Sequence, residues 1–247
     1  EVHSIKLVKE GNELCLQCHR AAQYDTSEHH FHKQKGEEGE PIKSAEGEVL
    51  FEVGSGALCA ECHMPGRYYM GVDYRPDHSF RVPNPVLAES IGAPDACLRC
   101  HIDKDSQWSK DSAHEWYGPG DTSHYGSIFA SARGGDPDAD QGLLSLVGDV
   151  LYPVNVRATA LSLLAGYPSA ESAQALEIAL ADEEALIRWA ALTVVSAEDA
   201  QSLTKLIAPS LYDPIKTVRI EAANRLTGEL TQHLDEQQKE TYQIVLR

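Results

Sequence analysis

The chain is short of several things, and each shortage closes a possibility. It has no run of about 18 apolar residues, so no segment of it reads as a membrane-spanning helix. Basic residues are scarce, 21 Lys and Arg against 38 Asp and Glu, for a formal net charge of −17. A nucleic-acid partner needs an electropositive face, so this balance argues against one, and it says little about fold. Methionine occurs only twice, as Met64 and Met70. Cysteine occurs six times with none to spare. The residues fall in three pairs, Cys15/Cys18, Cys59/Cys62 and Cys97/Cys100, leaving neither a simple disulfide scaffold nor a solitary nucleophilic thiol. An apolar leader is also missing at Glu1-Val2-His3, and the chain reads as a processed form.

Each cysteine pair is spaced C-x-x-C and followed at once by a histidine: CLQCH ending at His19, CAECH at His63 and CLRCH at His101. C-x-x-C-H is the attachment signature of c-type haem. The two thiols add to the porphyrin vinyl groups, and the adjacent imidazole supplies one axial nitrogen to iron. A zinc site would want four ligands from two such pairs, or Cys2His2 with a longer spacer. A redox dithiol would sit in one βαβ unit and would not recur three times. Three covalently attached haem c groups are therefore expected.

Each iron has a second axial position. Eight histidines lie outside the motifs: His3, His29, His30, His32, His78, His114, His124 and His233. Met64 directly follows a proximal histidine and cannot easily reach the far face of that haem. Bis-histidine ligation is expected throughout, giving low-potential haems because no thioether raises the potential. Residues 1–135 are rich in Gly, His, Tyr and charge and poor in aliphatic periodicity. They read as a loop-rich trihaem cytochrome c domain in which the porphyrins would supply the missing apolar mass.

From residue 136 the text changes. Ala, Leu and Val recur at helical spacing. Three stretches, beginning Val156-Arg157, Ile187-Arg188 and Val218-Arg219, align without gaps at a period of 31 residues. Fixed-period self-similarity points to stacked helix pairs, an α-solenoid over 136–247. The pattern resembles HEAT repeats, with a shorter period. The recurrent arginine is expected to tie one repeat to the next, and Trp189 to pack in the core or a groove. No catalytic residue is expected there, and His233 is expected to lie far from iron. The fold class is thus mainly α: a trihaem module followed by a HEAT-like solenoid.

The haem half resembles the C-terminal haem module of multihaem cytochromes related to pentahaem nitrite reductases and octahaem hydroxylamine oxidoreductases. The residues carrying the resemblance are Cys59-Ala60-Glu61-Cys62-His63-Met64-Pro65, Asp77-His78, Pro83-Asn84-Pro85, Cys97 through Lys104, and His124-Tyr125-Gly126. Multihaem cytochromes that carry a helical repeat after the haems resemble the chain from His3 to Gly118. The resemblance implies His3 as second ligand for the haem at His19, and His124 for the haem at His63. For the haem at His101 it implies one of His29, His30 and His32, with His30 matching the spacing best. It leaves His78, whose counterpart ligates an earlier haem that this sequence does not contain, as if a larger cytochrome had been trimmed at its front. Three roles are open to His78: uncoordinated, replacing His3, or binding iron in a neighbouring copy, which would build an extracellular haem filament. His114 falls where the relatives have no ligand and reads as a surface or haem-packing residue.

The reductase relatives keep one open haem, with lysine replacing the motif histidine, and no C-x-x-C-K occurs here. The resemblance and the ligand count together imply an electron-transfer protein without catalytic residues. The alternative is a redox subunit or reductase of a small nitrogen or sulfur oxyanion with one open haem. Redox proteins or copies of the chain itself are the expected partners. Covalent haem attachment implies a periplasmic or extracellular location.

Overall fold

The computed structural model describes residues 7–119 and 124–247. The chain is mainly helical, with a few short strands. It divides into two compact units, Glu1–Thr122 and Ser123–Arg247.

The first unit is built from short pieces. A 3₁₀ stretch, Gly11–Gln17, leads to α1 (Ala21–Tyr24) and α2 (Ser27–His30). An antiparallel pair follows, β1 (Ile42–Lys43) with β2 (Val49–Phe51). After a 3₁₀ turn at Ser55–Ala57 come α3 (Cys59–His63) and a second hairpin, β3 (Arg67–Tyr69) with β4 (Asp73–Arg75). The unit closes with α4 (Pro85–Ile91) and α5 (Ser106–Tyr117). Local chemistry sets these ends. Asn84 caps α4 by accepting from Leu87 N–H, Pro85 supplies a preset φ at the first helical position, and Gly92 closes the helix at φ +67°. Asp105 caps α5 in the same way through Trp108 N–H.

Among its described residues this unit buries only His30, Ala57, Pro85, Ala88 and Ser109. None of them is a Leu, Ile, Val or Phe. A polypeptide of this length normally folds by burying large apolar side chains. Here they stay at the surface or half-exposed, with Tyr68, Met70, Val72, Phe80 and Val82 all well exposed.

The second unit is the opposite. It runs α6 (Tyr125–Arg133), α7 (Ala139–Gly148), α8 (Val154–Leu164), α9 (Ala170–Ala179), α10 (Ala185–Val194), α11 (Ala200–Ile207), α12 (Lys216–Arg225) and α13 (Glu236–Val245), with 3₁₀ turns at Ala208–Tyr212 and Gly228–His233. Leu143, Leu146, Leu161, Leu164, Ile187, Leu192, Ile207, Leu211 and Leu226 are fully buried. α8 packs against α7 and α10, and α10 packs in turn against α12. These three helices begin at residues 154, 185 and 216, so the sequence period reappears as a helix spacing.

Arg157 and Arg188 reach ahead along that row, and Arg219 reaches back to the turn before its own helix. Arg157 donates to Asp182 (2.8 Å) and to the Val147 carbonyl (3.1 Å). Arg188 grips Asp213 through two nitrogens (2.7 and 3.0 Å), and Arg219 donates to the carbonyls of Asp213 and Pro214. Trp189 packs against both core clusters of the unit.

The division between units differs from the sequence boundary at 135. α6 belongs with the second unit because Phe129 and Ala132 are buried in its core. Composition hid this, since α6 is short and follows directly on the glycine- and histidine-rich text.

Candidate haem-binding site

Each C-x-x-C-H motif forms one helical turn. In the first, the N–H groups of Cys18 and His19 donate to the Cys15 carbonyl (3.1 and 3.0 Å). The second is α3 itself. In the third, Cys100 and His101 donate to the Cys97 carbonyl (3.2 and 3.0 Å). Residues i, i+3 and i+4 share one face of such a turn, so each motif turns two sulfurs and one imidazole to the same side.

Side chains outside the motifs fix these turns. Asn12 donates to Asp25 and to the Ala57 carbonyl, and its amide oxygen accepts from Cys59 N–H, all at 2.8 Å. It therefore joins the approach to the first motif to the start of the second. Asp95 accepts from Cys97 N–H (2.7 Å) and from the hydroxyl of fully buried Ser109 (2.7 Å), joining the third motif to α5. Glu61 and Arg99, inside the second and third motifs, form an ion pair at 2.7 Å.

No disulfide joins any of the six cysteines. Burial, then Cys15, pushes the Cys59 thiol up to about 11. Burial, then Cys97 and Cys100, pushes Cys62 up to about 11. The thiols of neighbouring motifs thus lie close enough to feel one another.

Two pairs of imidazoles face each other. The rings of His29 and His63 have centres 6.2 Å apart and planes 8° from parallel. Those of His32 and His101 are 6.1 Å apart and tilted by 38°. Both separations are too long for direct ring contact. An iron bonded at about 2.0 Å to a nitrogen on each side, each nitrogen about 1.1 Å from its ring centre, puts the centres about 6.2 Å apart. The two pairs fit a shared axial metal. Among its described residues this unit buries no large aliphatic side chain, which suits apolar groups lodged between the motifs.

Nitrogen polarity agrees. His63 Nδ1 lies 2.8 Å from the Arg81 carbonyl, so Nδ1–H donates and the Nε2 lone pair is left free. His32 Nδ1 donates to the His30 carbonyl and leaves Nε2 free in the same way. Burial first, then the facing histidine, lowers the pKa of both His29 and His101, which favours the neutral imidazole that a metal requires.

The backbone explains how His29 and His32 come to stand opposite different motifs. Three residues apart on one helix, they would share a face. Phe31 ends α2 in the left-handed region at φ +53°, and the chain turns away before His32. Stacking of Phe31 on Trp116 at 4.9 Å, with planes 5° apart, holds this turn. Gly56 makes room for His32, because a Cβ there would fall 2.2 Å from the ring.

The structure brings His29 opposite His63 and His32 opposite His101, where the resemblance implied His124 and one of His29, His30 and His32. His30 is buried, with Nδ1 accepting from His32 N–H (3.1 Å) and Nε2 3.1 Å from the Gln34 side-chain amide, and among the described residues its ring meets no motif histidine. His32, not His30, faces His101. His124 N-caps α6, its Nδ1 accepting from Gly126 N–H (3.0 Å), while His29 faces His63. The spacing that favoured His30 could not register the reversal at Phe31. The remaining expected ligands are placed as follows. His3 lies outside the described residues. The ring beside His19 is Tyr24, at 5.5 Å, and Tyr24 in turn meets His29 at 5.3 Å. His78 is exposed, with Nδ1 donating to the Pro76 carbonyl (2.9 Å). His114 and His233 are exposed.

Among the described residues no group of three or more His, Cys, Asp or Glu gathers around a metal position. Haem iron takes only two protein side chains, so this bears on protein-only metal sites. Among the described residues no helix is long and apolar enough to cross a membrane. No family model, no curated protein and no solved structure matches the chain.

Proposed function

We propose that the protein is an electron-transfer cytochrome carrying three covalently attached haem c groups. The observation that carries this reading is the pair of facing imidazoles, His29 with His63 and His32 with His101, each beside a C-x-x-C-H turn. Cys15 and Cys18, Cys59 and Cys62, and Cys97 and Cys100 would hold the porphyrins, with His19, His63 and His101 as proximal ligands. His29 and His32 take the second positions at His63 and His101, in place of His124 and His30. His3 remains the candidate for the haem at His19. Bound there, haem c supplies one-electron exchange at iron. The chain's own part is to saturate the irons, which leaves no face for an oxyanion, and to hold the three motifs together through Asn12, Asp95 and the Glu61–Arg99 pair. The second unit, with its helix starts at a 31-residue interval, is read as a HEAT-like solenoid offering an extended surface to a redox partner or a further copy. Maturation by covalent haem attachment assigns the protein to the periplasm or the cell exterior.

Intact mass and EPR of the protein matured in a cytochrome c-producing host test this reading. A mass gain of three haems with wholly low-spin ferric signals is expected. No covalent haem would end the proposal. Three haems with a high-spin ferric component would instead favour the open-haem reductase.

His78 carries a second element of the proposal. Its Nδ1 is tied to its own chain, which directs Nε2 away from the bond, and the side chain is exposed on a segment with Phe80 and Val82. It is suited to ligate iron in a neighbouring copy and so to extend a row of haems through a homopolymer.

A further inference from the structure

We infer that the Glu61–Arg99 ion pair splits the potentials of two neighbouring haems, setting the haem at His63 below the haem at His101 and giving electron flow between them a direction. The inference rests on the trihaem reading.

The placement is specific. Glu61 lies between the two cysteines of the second motif and Arg99 between those of the third, so each charge is built into one attachment turn. Their head groups meet at 2.7 Å, and the side chains are only 26 % and 22 % exposed. Water therefore screens them less than it would a surface pair. The contact is close but poorly aligned. Glu61 Oε2 and Arg99 Nη1 are buried without a well-formed hydrogen bond. Arg99 is held instead from its flat sides, its Cζ 5.7 Å from the Phe51 ring and 5.5 Å from the Tyr74 ring. Two opposite charges set this close act beyond themselves as a dipole, with its negative end rooted in the second motif and its positive end in the third.

The ferric state carries one more positive charge than the ferrous state. A carboxylate in the turn stabilises ferric iron and lowers the potential, while a guanidinium does the reverse. With haem bound at both motifs, this sign would favour one electron leaving the centre held by His63 for the centre held by His101. No further reactant is needed.

The test is spectroelectrochemical titration of the haem-loaded protein, with each haem assigned by NMR, for three forms: wild type, Glu61→Gln/Arg99→Gln, and the exchanged pair Glu61→Arg/Arg99→Glu. The exchanged form keeps an ion pair and guards against a neutral variant that fails to fold. In wild type the exchange equilibrium should favour the reduced haem at His101. The neutral form should lose about tenfold of that preference, equivalent to about 59 mV for one electron, and the exchanged form should lose more. Three haems by mass with the same splitting in all forms would overturn the inference and leave the cytochrome reading intact. Absence of covalent haem by mass would overturn both.

Discussion

At the scale of single residues, the ligand set proposed for the first unit turns on which imidazole nitrogen is free. His32 and His63 commit Nδ1 to a backbone carbonyl and expose Nε2, whereas His30 uses Nδ1 as an acceptor. Two substitutions separate these roles. His30→Ala should leave all three haems low-spin, at some cost in stability because a buried side chain is lost. Gly56→Ala places a methyl group within 2.2 Å of the His32 ring. It should move His32 off its axis and convert one haem of three to high-spin, read by EPR and by the charge-transfer absorption of ferric iron. If Gly56→Ala stays low-spin and His30→Ala does not, the ligand assignment is reversed. Asp95→Ala removes the acceptor shared by Cys97 N–H and buried Ser109. It should cost about 1–3 kcal/mol, as expected for buried donors left unsatisfied, measured by denaturant unfolding of the loaded protein. The motif residues themselves were legible in the sequence, because C-x-x-C-H is a local pattern. The proposed second ligands were legible only as a short set of histidines. Choosing among His29, His30 and His32 depends on a left-handed turn at Phe31 that no spacing rule encodes.

At the scale of elements, the second unit is held by a relay in which an arginine near the start of one helix binds the aspartate of the turn that precedes the next. The helix-period pattern and the 31-residue interval made α8, α10 and α12 readable, and the arginine slot could be marked from sequence. Its partner could not, because Asp182 and Asp213 lie 25 residues ahead and only packing brings them into range. Arg188 and Asp213 are nearly buried, 12 % and 7 % exposed. Removing either partner leaves an uncompensated charge, so Arg188→Ala should destabilise the second unit by about 3–5 kcal/mol, followed by thermal unfolding of its helical signal. The pair also sets an acid limit. Burial alone would raise the Asp213 carboxyl, but the Arg188 hydrogen bond, the Ile215 N–H and the nearby arginine charges together hold it below its ordinary value of 3.8. The unfolded state then binds the proton more readily, so this stability is complete above about pH 4 and disappears as pH falls through the lowered native value. Asp213→Asn should therefore be less stable than wild type at neutral pH and show a flatter acid limb.

At the scale of the whole molecule, the two units solve burial differently, and the difference is already written in their compositions. Residues 136–247 are dense in Ala, Leu and Val, and that unit closes an apolar core of its own. The earlier residues bury almost nothing aliphatic, in keeping with porphyrins as the missing core. The boundary was less legible, since α6 carries its two buried side chains, Phe129 and Ala132, directly after the glycine- and histidine-rich sequence of the first unit. The net charge of −17 acts on the assembly as a whole. Copies of so acidic a chain repel, and haem propionates would add to that charge, so self-association needs a specific bond to overcome the repulsion. A ligand donated by His78 across a boundary would be such a bond. Sedimentation of the loaded protein over a wide concentration range should then show a mass rising above that of a single 27.0 kDa chain with its haems. Added salt should strengthen the association, because screening weakens repulsion between like-charged copies and leaves a coordinate bond intact. His78→Ala should abolish the association while leaving the three covalent haems in place. A wild type that remains a single chain at every concentration and salt, with the His78→Ala variant indistinguishable from it, would remove the homopolymer from the proposal and leave a discrete electron carrier.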